Sequence, residues 1–153
     1  MTQTHQTAIL VPLAVGAIAV MCTIFTRAMA VLTTVSFVRH QKRLGRAGAD
    51  FWIDFSIVAL TITIALVAHL IDIAYWAILF VICGEFSELG PAYYHSAVNY
   101  TTLGYGDVIM RPSWRMLGPL EAANGMLMFG VSTAIIFAII QRLIQGRFTD
   151  LRS

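Results

Sequence analysis

The chain has 153 residues, of which 58% are hydrophobic and only 12% are charged, and its formal net charge is +2. A soluble domain carries about 25% charged residues, so this composition indicates a protein whose solvent is the lipid bilayer. The small net charge and the lack of a basic run with interleaved aromatic residues argue against a nucleic-acid partner. We expect neither enzyme activity nor an organic cofactor, because the sequence has no phosphate-binding loop, no metal-ligand spacing and no nucleophile with a paired base.

The first apolar segment spans residues 7–38 and is interrupted only by Arg27. At about 1.5 Å per residue, a helix of this length exceeds the ~30 Å hydrocarbon core, so it must tilt or project beyond it. Two interpretations of Arg27 stay open. It is either a charge that acts in gating or lipid sensing, or a side chain that reaches the inner interface or pairs with a carboxylate of another span.

A short basic connection follows. Its cationic residues and its turn-forming glycines are Arg39, Lys42, Arg43, Arg46, Gly45 and Gly48. The positive-inside rule places this connection in the cytoplasm. Three spans then put the N-terminus outside and the C-terminus in the cytoplasm of a plasma membrane or bacterial inner membrane. Arg142 and Arg147 agree with this orientation, whereas Arg111 and Arg115 fall on the outer side.

The second apolar segment spans residues 51–83 and has aromatic residues near both ends, as membrane-spanning helices do. His69 and Asp72 are three residues apart within it, so they share one face of a helix. They either sense pH or bind a metal ion, or they satisfy each other in the outer half of the span.

A polar, turn-rich stretch over residues 84–115 comes next. Glu85 and Glu88 either give it a negative field that attracts cations or are solvated loop charges. Pro91 suits the first turn of a helix, and residues 91–101 can form about three turns. The C-terminal end of such a helix carries partial negative charge, which favours a cation there.

The run Tyr100-Thr101-Thr102-Leu103-Gly104-Tyr105-Gly106-Asp107 is the most informative part of the sequence. A potassium ion can exchange its hydration shell for rings of backbone carbonyls contributed by four chains. Successive carbonyls must then face one axis, which demands alternating backbone conformations and explains Gly104 and Gly106. We expect Thr102 to add a ring of hydroxyls, Tyr105 to pack outward, and Asp107 to form a hydrogen bond behind the loop.

The third apolar segment spans residues 117–140, and Arg142, Arg147 and Arg152 follow it. Glu121 lies in the first turns of this segment. It raises the cation concentration at the outer end, or it braces the short helix, or it simply interacts with the N-terminal dipole of its own helix.

Residues 101–107 resemble the signature of the potassium-channel pore family, and the resemblance extends over residues 51–142. It implies an outer helix, a pore helix, a selectivity filter and an inner helix that lines the pore of a homotetramer. The filter residues, which bind K⁺ through their carbonyls, are Thr102, Leu103, Gly104, Tyr105 and Gly106. The resemblance also implies supporting roles for Thr101, Val98 and Asp107, and a gate hinge at Gly125 or Gly130.

The sequence departs from the family pattern at several points, of which the following bear on the pore. Leu103 stands where valine is commonest, and we expect little change in selectivity because only its carbonyl faces the ions. Val98 stands where some members carry a buried glutamate, so Asp107 needs another partner, for which we expect Tyr94 or His95. The first span is an addition to the minimal two-span pore, and it lacks the regularly spaced basic residues of a voltage sensor.

The sequence therefore predicts an all-α, multi-pass membrane protein with three transmembrane helices, a re-entrant pore helix and a filter loop. The predicted parts are an N-terminal helix with its basic loop (1–50), a pore domain (51–142) and a short tail (143–153). The predicted function is passive, potassium-selective conduction by a homotetramer in contact with membrane lipid. A poorly selective cation channel and a non-conducting accessory subunit remain as alternatives.

Overall fold

A computed structural model describes the backbone of residues 2–45 and 51–150, and the side chains of residues 10–45 and 51–146. Its four helices are, in chain order, α1 (Thr2–Arg43), α2 (Phe51–Ile82), α3 (Leu89–Tyr100) and α4 (Leu117–Asp150). Arg46, Gly48 and Arg152 of the sequence analysis lie outside the described residues, as does the side chain of Arg147.

Among the described residues, three helices are long and apolar enough to cross a membrane. They are Leu10–Arg43, Phe51–Ile82 and Leu117–Gly146, with mean hydropathies of 2.0, 2.3 and 2.0. Many of their large apolar side chains are exposed, which suits surfaces that face lipid or other apolar protein rather than water. The predicted all-α fold with three spans and one short intervening helix is confirmed.

The helix ends differ from the apolar boundaries of the sequence. α4 continues to Asp150, so most of the segment predicted as a tail after residue 142 is helical. An apolar run marks only the part of a helix that can face lipid, whereas a helix continues through polar residues until something breaks it. For the same reason α1 begins at Thr2, well before the apolar run, and it accommodates Pro12.

The first compact unit comprises Met1–Thr26 and His69–Phe129 and contains the whole of α3. Aromatic side chains dominate its core, whose buried members are Ala19, Ile73, Trp76, Phe80, Tyr100, Met110, Leu117 and Met128. Trp76, Phe80 and Tyr100 are fully buried. Large rigid rings of this kind fix the position of α3, because each buries 150–250 Å² or so when it is enclosed.

The second compact unit comprises Arg27–Ala68 and Gly130–Ser153. Its core is smaller and aliphatic, with Ile57, Ile139 and Leu143 buried at the centre. Phe37 and Val38 of α1 pack against that centre. The core of this unit is therefore small and mainly aliphatic, with the ring of Phe37 packed against it.

Candidate functional site

α3 is a helix of 12 residues that starts at Leu89 and has Pro91 in its first turn. It buries one face, formed by Ala92, His95, Ser96, Val98 and Tyr100. The predicted short helix over residues 91–101 is thus present, with its N-terminal end two residues earlier. Its C-terminal end leads directly into the run that begins at Thr101.

The last carbonyls of α3 accept hydrogen bonds from the segment that follows. The Thr102 N–H donates to the Asn99 carbonyl at 2.8 Å, and the Leu103 and Gly104 N–H groups donate to the Val98 carbonyl at 2.9 and 3.2 Å. The final carbonyls of any helix lack partners within it. Here they are satisfied by the N–H groups of the glycine-containing segment, which fastens that segment to the helix end.

The backbone of this segment alternates between two regions. Thr102, Gly104 and Gly106 have φ angles of +61°, +59° and +72°. Among the described residues, Thr102 is the one non-glycine residue with a positive φ, so Leu103 and Tyr105 between these positions have ordinary negative values. A left-handed conformation costs a residue with a Cβ about 1–2 kcal/mol. The alternation therefore requires Gly104 and Gly106 and strains Thr102.

Asp107 receives a hydrogen bond at the other end of the segment. The Tyr94 hydroxyl donates to its Oδ2 at 2.8 Å, and the backbone N–H of Val108 donates to Oδ1 at 3.1 Å. The hydrogen bond to Asp107 raises the pKa of Tyr94. Of the two partners expected for Asp107, the structure has Tyr94. His95 instead packs between Phe80 and Phe86, and its burial lowers its pKa.

A second carboxylate holds the loop beyond Asp107. α2 ends in a turn at Gly84, where the Glu85 N–H donates to the Phe80 carbonyl at 3.0 Å. Glu85 accepts hydrogen bonds from the backbone N–H and from Nε of Arg111, both at 2.8 Å. The Glu85 side chain is 3% exposed and paired with a cation, so it is neither a solvated charge nor an unneutralised one.

A polar contact between helices holds the middle of α3. Ser96 Oγ lies 2.8 Å from the Ile73 carbonyl of α2 and 2.5 Å from Glu121 Oε1 of α4. Glu121 is completely buried. Of the interpretations left open for Glu121, the contact supports the one in which it braces α3.

The C-terminal end of α3 is held by a similar contact. The Tyr100 hydroxyl donates to Asp72 Oδ2 and lies against His69 Nδ1, with both distances 3.0 Å. All three side chains are buried. The imidazole of His69 stacks on the ring of Phe129 in α4, with ring centroids 4.2 Å apart. His69 and Asp72 therefore meet through a tyrosine that the sequence analysis did not single out.

This arrangement is a short helix between two membrane-spanning helices, followed by an extended loop held at both ends. A family model described as an ion channel matches residues 51–142, which is more than half of the chain. The chain belongs to the pore-loop ion channel family. No curated protein and no solved structure shows a significant match to the chain.

Membership in the ion channel family fixes the general activity of the chain. It is a multi-pass membrane protein that conducts ions, and it is not an enzyme. α2, α3 and α4 lie within the matched region, and α1 is an additional helix that precedes it. The recognised resemblance to a pore-loop channel is thereby confirmed.

The additional helix of this channel makes a polar contact with α4 in each of the two compact units. In the first unit, Thr23 Oγ1 donates to Asn124 Oδ1 at 3.1 Å. In the second unit, Arg27 Nη1 donates to Ser132 Oγ at 2.8 Å. Arg27 is 4% exposed, so it is buried against a neighbouring helix and does not extend along the surface of α1.

The two candidate hinge glycines of α4 have different surroundings. A Cβ on Gly125 would collide with the carbonyl oxygen of Tyr100, so this glycine lets α4 approach the end of α3 closely. A Cβ on Gly130 would meet nothing within 4 Å. Close packing already explains Gly125, whereas the structure of the subunit gives Gly130 no steric role.

Sequence reasoning missed three residues of this site, namely Tyr100, Asn124 and Arg111. Glu85 and Arg111 are 26 residues apart, and no local pattern links them. Tyr100 had one available signal, because it directly precedes Thr101 and therefore ends the short helix. The metal-binding interpretation of His69 and Asp72 gains no support, since the described residues contain no group of three or more metal-ligating side chains.

Proposed function

We propose that this ion channel subunit forms a homotetrameric, potassium-selective pore whose filter is the segment Thr102, Leu103, Gly104, Tyr105 and Gly106. The N-terminus lies outside and the C-terminus in the cytoplasm of a plasma membrane or bacterial inner membrane. K⁺ is both the ion conducted and the ion bound in the filter. The inner helix α4 lines the pore, and Gly125 or Gly130 serves as its hinge.

One observation carries the proposal, namely the alternation of left-handed and ordinary backbone from Thr102 to Gly106. The N–H groups of Leu103 and Gly104 point back to the Val98 carbonyl, which leaves their own carbonyls to face elsewhere. Carbonyl oxygens arranged in rings replace the hydration shell of a potassium ion. Four copies of this segment around one axis would supply such rings.

The surroundings of the filter add support. Asp107 is held by Tyr94. Leu103 and Tyr105 are 55% and 65% exposed in the single subunit. Their side chains are therefore available for contacts with other subunits. Thr101, Val98 and Asp107 support the filter. For Val98 this support runs through its backbone carbonyl and requires no carboxylate in its side chain.

The test is the reversal potential of the purified protein in planar bilayers with opposed K⁺ and Na⁺ gradients. A reversal potential close to the potassium equilibrium potential supports the proposal. A value close to zero identifies a poorly selective cation channel. Absence of current from assembled protein identifies an accessory subunit. Gly104→Ala, inserted at matched amounts, is the control for current that comes from the filter rather than from leaks.

A further inference from the structure

Tyr100 connects the membrane-spanning part of the subunit with the candidate filter. It is the last residue of α3, and the N–H groups of the residues after it bond to the carbonyls of the last turn of this helix. Its ring is fully buried and lies 5.7 Å from the ring of Phe129. Any shift of Tyr100 moves the carbonyls to which the filter segment is fastened.

The hydroxyl of Tyr100 forms a directional chain of hydrogen bonds. A tyrosine hydroxyl has one hydrogen, and here it is donated to Asp72 Oδ2 at 3.0 Å. The Tyr100 oxygen is then the acceptor for His69 Nδ1, also at 3.0 Å. His69 must therefore carry a hydrogen on Nδ1. The chain runs from His69 through Tyr100 to Asp72, and both of its ends belong to α2.

Protonation of His69 on its other nitrogen keeps this chain and changes its charge. Among the described residues, those that face His69 include Asp72 on its own helix, Tyr100 of α3 and the uncharged ring of Phe129 of α4. Glu121 of α4 contacts Ser96, one turn earlier in α3. A histidinium would carry the charge opposite to that of the Asp72 carboxylate among buried side chains, and charge-assisted hydrogen bonds are roughly twice as strong as neutral ones.

We propose that His69 and Asp72 are positioning residues for the ion-binding segment, that they act through the hydroxyl of Tyr100, and that protonation of His69 tightens this hold. Conduction then rises as the pH falls through the range in which histidine titrates. The inference rests on the proposed function for the location of the filter. It does not rest on which cation the filter prefers.

The first experiment removes one hydroxyl. Tyr100→Phe keeps the ring against Phe129 and breaks the chain, and Tyr93→Phe is its matched control. Tyr93 is on the same helix, and its hydroxyl also donates to α2, at the Leu70 carbonyl over 3.3 Å, but it is not part of the chain. Total cation flux into liposomes should fall about five-fold in Tyr100→Phe, the equivalent of one hydrogen bond. Fluxes that are the same for both variants would overturn the proposal.

The second experiment has a readout that a purely structural role would not change. Flux is measured between about pH 5.5 and pH 8, the range in which histidine changes charge. His69→Asn places a neutral donor where Nδ1 stands, and its flux should no longer rise on acidification. His95→Gln removes another buried imidazole of the same unit, and the pH response should persist. A pH response that survives in His69→Asn, or that is absent from the wild type, contradicts the proposal.

These readouts are independent of ion preference. If the wild type does not discriminate between K⁺ and Na⁺, the proposed potassium selectivity fails. The comparisons of total flux and of its pH profile still decide the role of His69 and Asp72. If the wild type is potassium-selective and Tyr100→Phe behaves as Tyr93→Phe does, the positioning role fails alone.

Discussion

Glu85 binds Arg111 at two points, with Oε2 accepting from the backbone N–H and Oε1 from Nε of the guanidinium, each at 2.8 Å. Arg111 Nη2 also donates to the Gly84 carbonyl at 2.8 Å. The Arg111 side chain is 62% exposed, whereas that of Glu85 is 3% exposed. The pair ties the loop after the filter segment to the end of α2. Loss of Arg111 would be destabilising because it would leave the buried Glu85 carboxylate without its compensating charge.

Two substitutions at Glu85 should distinguish the contribution of its hydrogen bond to the Arg111 backbone from that of its ion pair with the Arg111 guanidinium. Glu85→Gln keeps an acceptor for the Arg111 N–H and loses only the ion pair, which solvent screens, so it should cost about 1 kcal/mol of stability. Glu85→Ala also leaves a backbone N–H without its partner and should cost roughly 2–3 kcal/mol. Thermal denaturation midpoints in detergent give the order. The double variant Glu85→Gln with Arg111→Gln should be less destabilised than the sum of the single variants, and strict additivity would contradict the pairing.

Alanine at the filter glycines should abolish selective conduction and leave membrane insertion intact. Gly104 and Gly106 have positive φ, where a Cβ costs about 1–2 kcal/mol in each subunit. Insertion depends on the apolar helices, which these changes do not touch. Leu103→Val should be nearly silent, because in the proposed filter its side chain faces away from the ions. Potassium flux in liposomes at matched protein content makes the comparison, and normal flux through Gly104→Ala would refute the carbonyl-ring hypothesis.

The two glycines of α4 form a matched pair. Gly125→Ala drives a methyl group against the Tyr100 carbonyl and should destabilise the subunit by roughly 1–3 kcal/mol. Gly130→Ala meets no obstacle in the subunit and should stabilise the helix by up to about 1 kcal/mol. Thermal stability in detergent measures both. If Gly130→Ala is stable yet alters channel opening, Gly130 is the hinge, whereas equal destabilisation by both variants would show that the surroundings of Gly130 are not open.

Cross-linking should reveal a tetramer. One filter segment supplies a quarter of each carbonyl ring, so a conducting pore needs four copies. Amine- or thiol-directed cross-linking in mild detergent should produce a ladder that ends at four subunits. A preparation that conducts ions and cross-links no further than a dimer is incompatible with the proposed assembly.

Fusions at the two ends of the chain should report its orientation. The basic residues Arg39, Lys42 and Arg43 lie at the end of α1, and the positive-inside rule predicts that this end is cytoplasmic. A reporter that is active only in the cytoplasm should function when fused after Ser153 and remain silent when fused before Met1. The opposite pattern would put the filter at the cytoplasmic face of the membrane. It would contradict both the proposed topology and the proposed pore.

Much of the fold could be predicted because the bilayer imposes simple rules. Long apolar runs marked α1, α2 and α4, and Pro91 together with the run at Thr101 marked α3. The same rules do not place helix ends, and α4 accordingly extends to Asp150, beyond the continuous apolar run that ends near residue 140. Its polar residues are compatible with a helix in water, where the apolar pattern carries no information.

The contacts of the candidate site were harder to predict than its motif. Glycine is the residue that most readily adopts a positive φ, so the positive φ of Gly104 and Gly106 could be expected from the sequence. The strain at Thr102 could not, since threonine ordinarily avoids that region. The partners of Glu121 and Glu85 lie 25 and 26 residues away, and a single sequence does not encode such pairings in any local period.

The polar contacts of α1 bear on whether the rest of the channel is stable when this helix is deleted. Thr23 bonds Asn124, and Arg27 bonds Ser132, in each case between buried side chains. A gene shortened to begin near residue 50 would still encode α2, α3 and α4, yet Asn124 and Ser132 would then lose these contacts with α1. The loss of a buried hydrogen bond costs roughly 1–3 kcal/mol. We therefore expect α2, α3 and α4 to be less stable without α1. Supplying residues 1–45 as a separate peptide should restore the stability that truncation removes.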